Sequence, residues 1–359
     1  MTRSTFVIAE AGVNHNGRLD LALELVDAAA AAGADAVKFQ TFTATAIATS
    51  AAPKADYQRR TTGAESQQAM LAALELSEAD HRALQARAAE RGIEFMSSPF
   101  DIASLELLAR LGVRRLKIGS GELTNGPLLL AAGRSGLPVI LSTGMASLDE
   151  IDTALGVLAF GMTSQAGDPD PDVGRFAAVR ATAAGRAAVA ARVSILHCTT
   201  EYPAPLDEVN LLAIPVLAER FGIPVGYSDH TAGTVVSVAA AALGARIIEK
   251  HLTVDRTLAG PDHAASIEPA EFATMVVGIR EVEVALGAPV KTPGPTELRN
   301  AAIARKSLVA ARPVAAGEPF SAENLTVKRP GTGRSPMDFW RLVGTPAARD
   351  YSADELIDP

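Results

Sequence analysis

The segment Ile247-Ile248-Glu249-Lys250-His251-Leu252-Thr253 opens as a buried strand. Two β-branched residues there follow a helix-like run, Val235–Leu243, and a stop at Gly244. The strand period of two places Ile247, Glu249 and His251 on one face. A carboxylate and an imidazole on a buried face are costly unless paired, hydrogen-bonded or bound to a metal. One unit upstream, Gly226-Tyr227-Ser228-Asp229-His230 ends the same way, so two successive strands close on histidine. The pair His230 and His251 is read either as satisfied core histidines or as ligands of a divalent metal. Two imidazoles with carboxylates and water nearby suit Mn2+ or Mg2+ with open positions better than a closed structural zinc site. Such a cation acts as a Lewis acid on a carbonyl oxygen.

Outward from this segment the chain alternates strand-like and helix-like stretches. Strands are expected at Phe6–Ala11, Ala36–Phe42, Glu94–Ser98, Arg115–Ser120, Pro138–Thr143, Val193–Cys198 and Pro224–Ser228, with the opening segment as the eighth. Helices are expected at Leu19–Ala32, Gln67–Leu74, Glu78–Arg91, Ile102–Leu111, Pro127–Arg134, Ser147–Phe160, Val209–Arg220 and Pro269–Leu286. Eight strand–helix units in about 285 residues predict a (β/α)8 TIM barrel. The competing arrangement is a doubly wound open sheet, but no G-x-G-x-x-G follows the first strand. Residues 163–191 break the rhythm and read as an exposed insertion with a helical Ala/Arg half. The barrel is expected over 1–288, a linker around Lys291-Thr-Pro-Gly-Pro over 289–302, and a small coil-rich β module over 303–359.

The chain has 359 residues and a net charge of −8, so it shows no footprint for nucleic acid or an anionic membrane. A single cysteine, Cys198, excludes an intrachain disulfide and fits a reducing cytoplasm. No signal-peptide pattern opens the sequence, and no apolar run approaches membrane-spanning length.

In a TIM barrel the chemistry sits at the C-terminal ends of the strands. Polar residues gather there: Glu10, Asn14 and His15; Lys38 and Gln40; Ser97 and Ser98; Lys117, Ser120 and Glu122; His197 to Tyr202; and Ser228 to His230 with Glu249 to His251. Lys38 and Lys117 in a barrel mouth suggest an anionic substrate, with Ser98, Ser120 and Ser228 adding hydroxyl donors. The alternative is internal salt bridges to Glu10, Glu122 and Glu249. Asn14 and His15 are open between substrate contact and loop hydrogen bonding. Cys198 reads as a packed small hydrophobe, and His81 as a solvated residue on a polar helix.

Several blocks carry a more specific likeness. Ile8-Ala-Glu-Ala-Gly-Val-Asn-His-Asn-Gly17, Val37-Lys-Phe-Gln-Thr-Phe42, Lys117-Ile-Gly-Ser-Gly-Glu122, Tyr227-Ser-Asp-His-Thr231, Ile248-Glu-Lys-His251 and Gly260-Pro-Asp-His263 resemble the sialic acid synthase family. The tail, Arg305-Lys-Ser-Leu-Val-Ala310 with Lys328-Arg-Pro-Gly331, is similar to that family's C-terminal antifreeze-like (SAF) domain. The resemblance implies condensation of phosphoenolpyruvate with an N-acylated amino-sugar aldehyde, giving a nonulosonic acid and phosphate. It implies a divalent metal on His230 and His251, and phosphoenolpyruvate among Lys38, Ser98, Lys117, Ser120 and Ser228. Gln40, Tyr202 and Asp262 would hold the sugar, while Glu10, Glu122 and Glu249 would manage protons and water. The family's homodimer is domain-swapped, which implies that Arg329, or failing it Arg334, reaches the partner's site.

Around the sixth strand, His197-Cys-Thr-Thr-Glu-Tyr-Pro-Ala-Pro205 carries Thr200 two residues before the tyrosine, where sialic acid synthases proper tend to carry Asn. This loop resembles the N,N'-diacetyllegionaminate synthases, whose substrate is 2,4-diacetamido-2,4,6-trideoxymannose. N-acetylneuraminate and pseudaminate synthases are the near alternatives. A pyruvate aldolase and a non-catalytic sugar-binding barrel are the rivals outside the family.

Overall fold

The computed structural model describes residues 5–54, 66–165 and 170–358. The chain divides into two compact units, Met1–Gly287 and Ala288–Pro359. In the first, eight parallel strands run β1 (Phe6–Gly12), β2 (Ala36–Thr41), β3 (Glu94–Pro99), β4 (Leu116–Ile118), β5 (Val139–Ser142), β6 (Val193–Cys198), β7 (Val225–Asp229) and β8 (Ile247–His251). The hydrogen-bonded order is β3-β2-β1-β8-β7-β6-β5-β4, and the two end strands β3 and β4 lie against each other, which closes the barrel. The open-sheet alternative is thereby excluded.

Local signals place the helices. Ser77 caps Glu78–Arg91 through a reciprocal capping box with Asp80, and Gly92 ends that helix in the left-handed region at φ 75°. Ser147 and Glu150 form the same box at the start of Leu148–Thr163. The expected insertion is more ordered than its composition suggested. Val173–Ala181 and Ala183–Arg192 are helices that pack on Leu148–Thr163, so this stretch thickens the outer wall. Its residues 166–169 lie outside the described residues. No described helix is long and apolar enough to cross a membrane.

Alternation along the strands builds the site. Ile8, Ala36, Met96, Ile140, Leu196 and Ile247 form one apolar layer inside the barrel. Two residues further along the same strands come Glu10, Lys38, Ser98, Ser142, Cys198 and Glu249, so a polar layer lies directly above the apolar plug. The opposite faces, among them Val37, Phe39, Ile195 and Ile248, join the large core beneath the helices.

The second unit holds a helix, Pro295–Ala304, which covers much of the stretch expected as linker and runs two residues past it, followed by the antiparallel pair β9 (Ser307–Ala310) and β10 (Leu325–Lys328). Its own core gathers Leu308, Val314, Phe320, Leu325 and Tyr351.

Gly226 lies inside the barrel, where an added Cβ would sit 2.4 Å from the Ile247 carbonyl oxygen and 2.6 Å from Leu196 Cδ2. Gly226→Ala should therefore lower the unfolding free energy by at least about 1–3 kcal/mol, the cost of overpacking a tight core. Gly121→Ala meets nothing within 4 Å and serves as the neutral comparison in urea denaturation.

Candidate active site

The strand ends enclose a cavity of about 290 Å³. Of the residues singled out from sequence, Glu10, Lys38, Gln40, Ser98, Lys117, Ser120, Tyr202, Ser228, His230, Glu249, His251 and Asp262 all line it. Glu122 does not: it sits in a short 3-10 turn, where its Oε2 accepts from Asn125 Nδ2 at 2.6 Å. Arg329 belongs to the second unit, where its Nε donates to the Ala304 carbonyl at 3.0 Å.

The cavity floor is a buried chain of charge. Lys38 pairs with Glu10 and reaches Glu249 Oε2 at 3.4 Å, and Lys117 meets Glu249 Oε1 at 3.2 Å. Ser98 Oγ accepts from Lys38 at 3.1 Å, and Ser228 Oγ donates to Glu249 Oε1 at 2.8 Å. Internal salt bridges are thus present, to Glu10 and Glu249 but not to Glu122, on the same groups that face the cavity. Burial works to raise Glu249, but Lys117, Lys38 and the Ser228 hydroxyl outweigh it and hold the carboxyl below its ordinary range. At Glu10 burial wins over Lys38, so its carboxyl is pushed up. Lys38 stays fully charged because Glu10 and Glu249 overcome its burial, whereas burial lowers Lys117. The two buried carboxyls are thus shifted in opposite directions.

At one side of the floor stand three rings. Tyr202 stacks on His230 at 4.2 Å between centroids, and the His230 and His251 rings are 5.7 Å apart. His230 Nδ1 lies 2.6 Å from the Thr199 carbonyl, so that nitrogen carries the proton. Its Nε2 is 3.3 Å from Ser228 Oγ, but that hydroxyl proton is already given to Glu249, so the Nε2 lone pair is unused. His251 Nδ1 is buried without a hydrogen-bond partner among the described residues. Burial holds His230 down to about 4 and His251 down to about 3, so both are neutral near pH 7. No group of three or more His, Cys, Asp or Glu that could hold a metal occurs among the described residues. Burial, with Glu10 nearby, pushes Asp262 up to about 7.

The end of β7 is held from behind. Lys250 and Asp229, on the outward faces of β8 and β7, form a buried pair at 2.9 Å. Asp229 also accepts from the Thr231 backbone, the Thr231 hydroxyl and the Ser237 hydroxyl. This anchor brackets His230 and serves structure rather than the cavity.

Three groups depart from the sequence expectations. His81 is not solvated but fully buried, with Nε2 at 2.8 Å from Thr41 Oγ1 and Nδ1 at 2.8 Å from the Ser77 carbonyl. Its helix face turns inward against Phe95, which a polar-looking helix conceals. Ser142, overlooked in sequence, lines the cavity with a buried Oγ that has no partner among the described residues. Its place two residues after Ile140 was the available signal. The third is an apolar wall from Val13, Phe42, Ile47, Met70, Leu71 and Leu74, which polar motifs could not reveal.

Asn14 and His15 prove to be loop fasteners. Asn14 Nδ2 donates to the Leu252 carbonyl at 2.9 Å and to Ser266 Oγ at 2.8 Å, and His15 Nδ1 accepts from the Gly17 backbone at 3.0 Å. Gly144 is equally local: its N–H donates to Ser120 Oγ at 3.0 Å, and a Cβ there would meet Thr200, Cys198 and Ser120. Cys198 is a buried thiol pushed up by that burial, as its reading as a packed hydrophobe requires.

Burial holds His15 down to about 4, against about 6.5 for a free histidine. Between these values the unfolded chain binds a proton that the fold refuses, so this stability is present above about pH 6.5 and lost toward pH 4. Wild type should lose on the order of 3 kcal/mol more than His15→Asn between pH 7 and 4, as read by urea unfolding.

Comparison with known proteins follows the same geometry. Residues 25–291 match the NeuB family and residues 305–359 match the SAF domain. The N,N'-diacetyllegionaminic acid synthase of Campylobacter jejuni is 45% identical over 99% of this chain and 99% of its own length. The enzyme of the same name from Legionella pneumophila is 44% identical over 97% of this chain and 92% of its own. A solved N-acetylneuraminic acid synthetase from Leptospira borgpetersenii superposes with a TM-score of 0.68 at 34% identity, covering 83% of this chain and 90% of that one. With a closed barrel, a charged strand-end layer and relatives matched along nearly its whole length, the chain belongs to the NeuB family and ends in a SAF domain.

Proposed function

We propose that this protein condenses phosphoenolpyruvate with 2,4-diacetamido-2,4,6-trideoxymannose and water, forming N,N'-diacetyllegionaminate and phosphate. The observation that carries this reading is the convergence of two buried lysines, a set of hydroxyls and two neutral histidines in one cavity. Likeness to two enzymes that bear the name of that synthase supports the choice of sugar.

In this reading Lys38 and Lys117 hold the anion, with Ser98, Ser120 and Ser142 donating to its oxygens, while Ser228, whose proton goes to Glu249, lines the anion's place. Carbon 3 of phosphoenolpyruvate attacks the sugar aldehyde and forms the new C–C bond. Water then adds at the oxocarbenium carbon, and the C–O bond to phosphate breaks. Glu249, locked ionised, lies near the positive charge that develops there. Glu10, whose carboxyl is pushed up, shuttles a proton, and Glu122 acts on water only if substrate draws it toward the cavity. Gln40, Tyr202 and Asp262 orient the sugar.

The divalent metal that the family likeness implies fits this donor set. His230 and His251 are neutral and each keeps an unused lone pair, and the remaining coordination is open to water and substrate. Mn2+ or Mg2+ bound there would polarise the aldehyde oxygen. A domain-swapped homodimer is part of the proposal, with Arg329 of one chain meeting an acyl group of the sugar in the other. A soluble cytoplasmic enzyme fits such a substrate pair.

Inorganic phosphate should appear from phosphoenolpyruvate only when the diacetamido sugar and the cation are both supplied. No release with any N-acyl mannosamine derivative would sink the synthase reading, and a higher kcat/KM for N-acetylmannosamine would shift it to sialic acid synthesis. His251→Ala should reduce release by at least about a hundredfold with little change in Tm. Arg329→Ala should raise the sugar KM by about tenfold or more and leave that for phosphoenolpyruvate unchanged. Unaltered sugar binding would count against the swapped arrangement.

A further inference from the structure

The cavity has two chemically different halves. The strand ends supply the lysines, glutamates, serines and histidines. The other side comes from the chain after β2: Phe42, Ile47 in the short helix Ala44–Ile47, and Met70 and Leu71 in Gln67–Ala72. Phe42 and Leu74 are buried together with Val13, while Ile47 and Leu71 pack on them half-buried, so part of each side chain remains open to the cavity. Among the described lining residues on this side, Gln67 alone carries a polar side chain.

An apolar wall cannot receive a phosphate or carboxylate, because an unpaired charge against it is not compensated. The anion therefore belongs to the lysine floor. The sugar aldehyde must lie beside the same floor to be attacked, which leaves the far end of the sugar for the wall. We propose that Ile47 and Leu71, with Gln67, are specificity-determining residues that receive the deoxygenated C6 methyl and the neighbouring acetamido group. This rests on the diacetamido sugar being the substrate. The match is chemical. A methyl group and an acetyl methyl bury apolar area against isoleucine and leucine, and the amide finds one partner in Gln67. A sugar with a 6-hydroxyl would lose hydrogen bonds to water and meet only apolar atoms at Ile47 and Leu71 in their place.

Full-length wild type, Ile47→Asn and Leu71→Asn should be compared for kcat/KM with the diacetamido sugar and with N-acetylmannosamine at saturating phosphoenolpyruvate. The preference for the diacetamido sugar should fall by at least about tenfold in each variant, the usual worth of a small apolar group in a pocket. The KM for phosphoenolpyruvate should stay at its wild-type value, which a merely unfolded or distorted barrel would not preserve. Ile47→Val and Leu71→Met keep the wall apolar and should retain the preference. If either Asn variant does not fold, Leu71→Ala and Ile47→Ala are read in the same assay, and both should lose part of the preference. A preference unmoved by the polar and alanine variants, with wild type active on the diacetamido sugar, would overturn the wall assignment alone. Wild type inactive on the diacetamido sugar would overturn the substrate reading and this assignment together.

Discussion

Two lysines and two glutamates buried in one layer at the strand ends are the constraint on which the rest of the molecule depends. Taking each ion out of water costs several kcal/mol, and removing one member of such a set typically destabilises by about 3–5 kcal/mol. Glu249 is the hinge of the arrangement, because it meets both Lys38 and Lys117 and accepts from Ser228. Those contacts require β1, β2, β4, β7 and β8 to arrive in fixed register. Glu10 lies opposite Lys38 on one side and opposite His251 on the other. The apolar layer beneath, from Ile8 to Ile247, closes the barrel below the charges, so the ions face only one another and the cavity. Such a set is poor at adding stability and well suited to receiving a substrate whose charges complete it.

Around that floor the cavity separates three tasks by chemistry. Cations and hydroxyls favour an anion, two neutral imidazoles offer lone pairs, and an apolar side wall offers only shape and dry surface. Burial does different work at each. It pushes the Glu10 carboxyl up and holds the histidines down, while the lysines keep Glu249 ionised beside them. Carboxyl groups of one residue type are thus given opposite proton affinities within a few ångströms. Support comes from outside the cavity as well. The Lys250–Asp229 pair on the outer faces and the Gly144 backbone on Ser120 hold groups that touch the cavity without touching it themselves.

The barrel was legible from eight alternating strand–helix units, and several strands share one further signal. A β-branched or apolar residue is followed two positions later by a polar one, as in Ile8 and Glu10, Ile247 and Glu249. The same period located Lys38, Gln40 and His251, all of which line the cavity. Lys117 and Ser120 were found through their position at a strand end, although β4 proved only three residues long. Legibility failed where neighbours, not period, decide the outcome. His81 looked solvated because its helix is rich in charge, yet tertiary packing buries it against Thr41 and Phe95. Glu122 lay near the right loop, but a tight turn hands its carboxylate to Asn125. Residues 173–192 read as an exposed insertion and are largely exposed, but Phe176, Val179 and Val189 seat their helices on a neighbouring one.

The amino-acid sequence by itself determined the alternation of strands and helices, the face each strand residue occupies and the kinds of charge gathered at one end. These follow from local periodicity, which every residue expresses without knowledge of distant ones. Only the tertiary structure decided which glutamate pairs with which lysine, which histidine nitrogen keeps its lone pair, and which loops wall the cavity. Those outcomes depend on groups brought together from strands far apart in the chain, where a change of an ångström or of a single partner reverses the balance between desolvation and attraction.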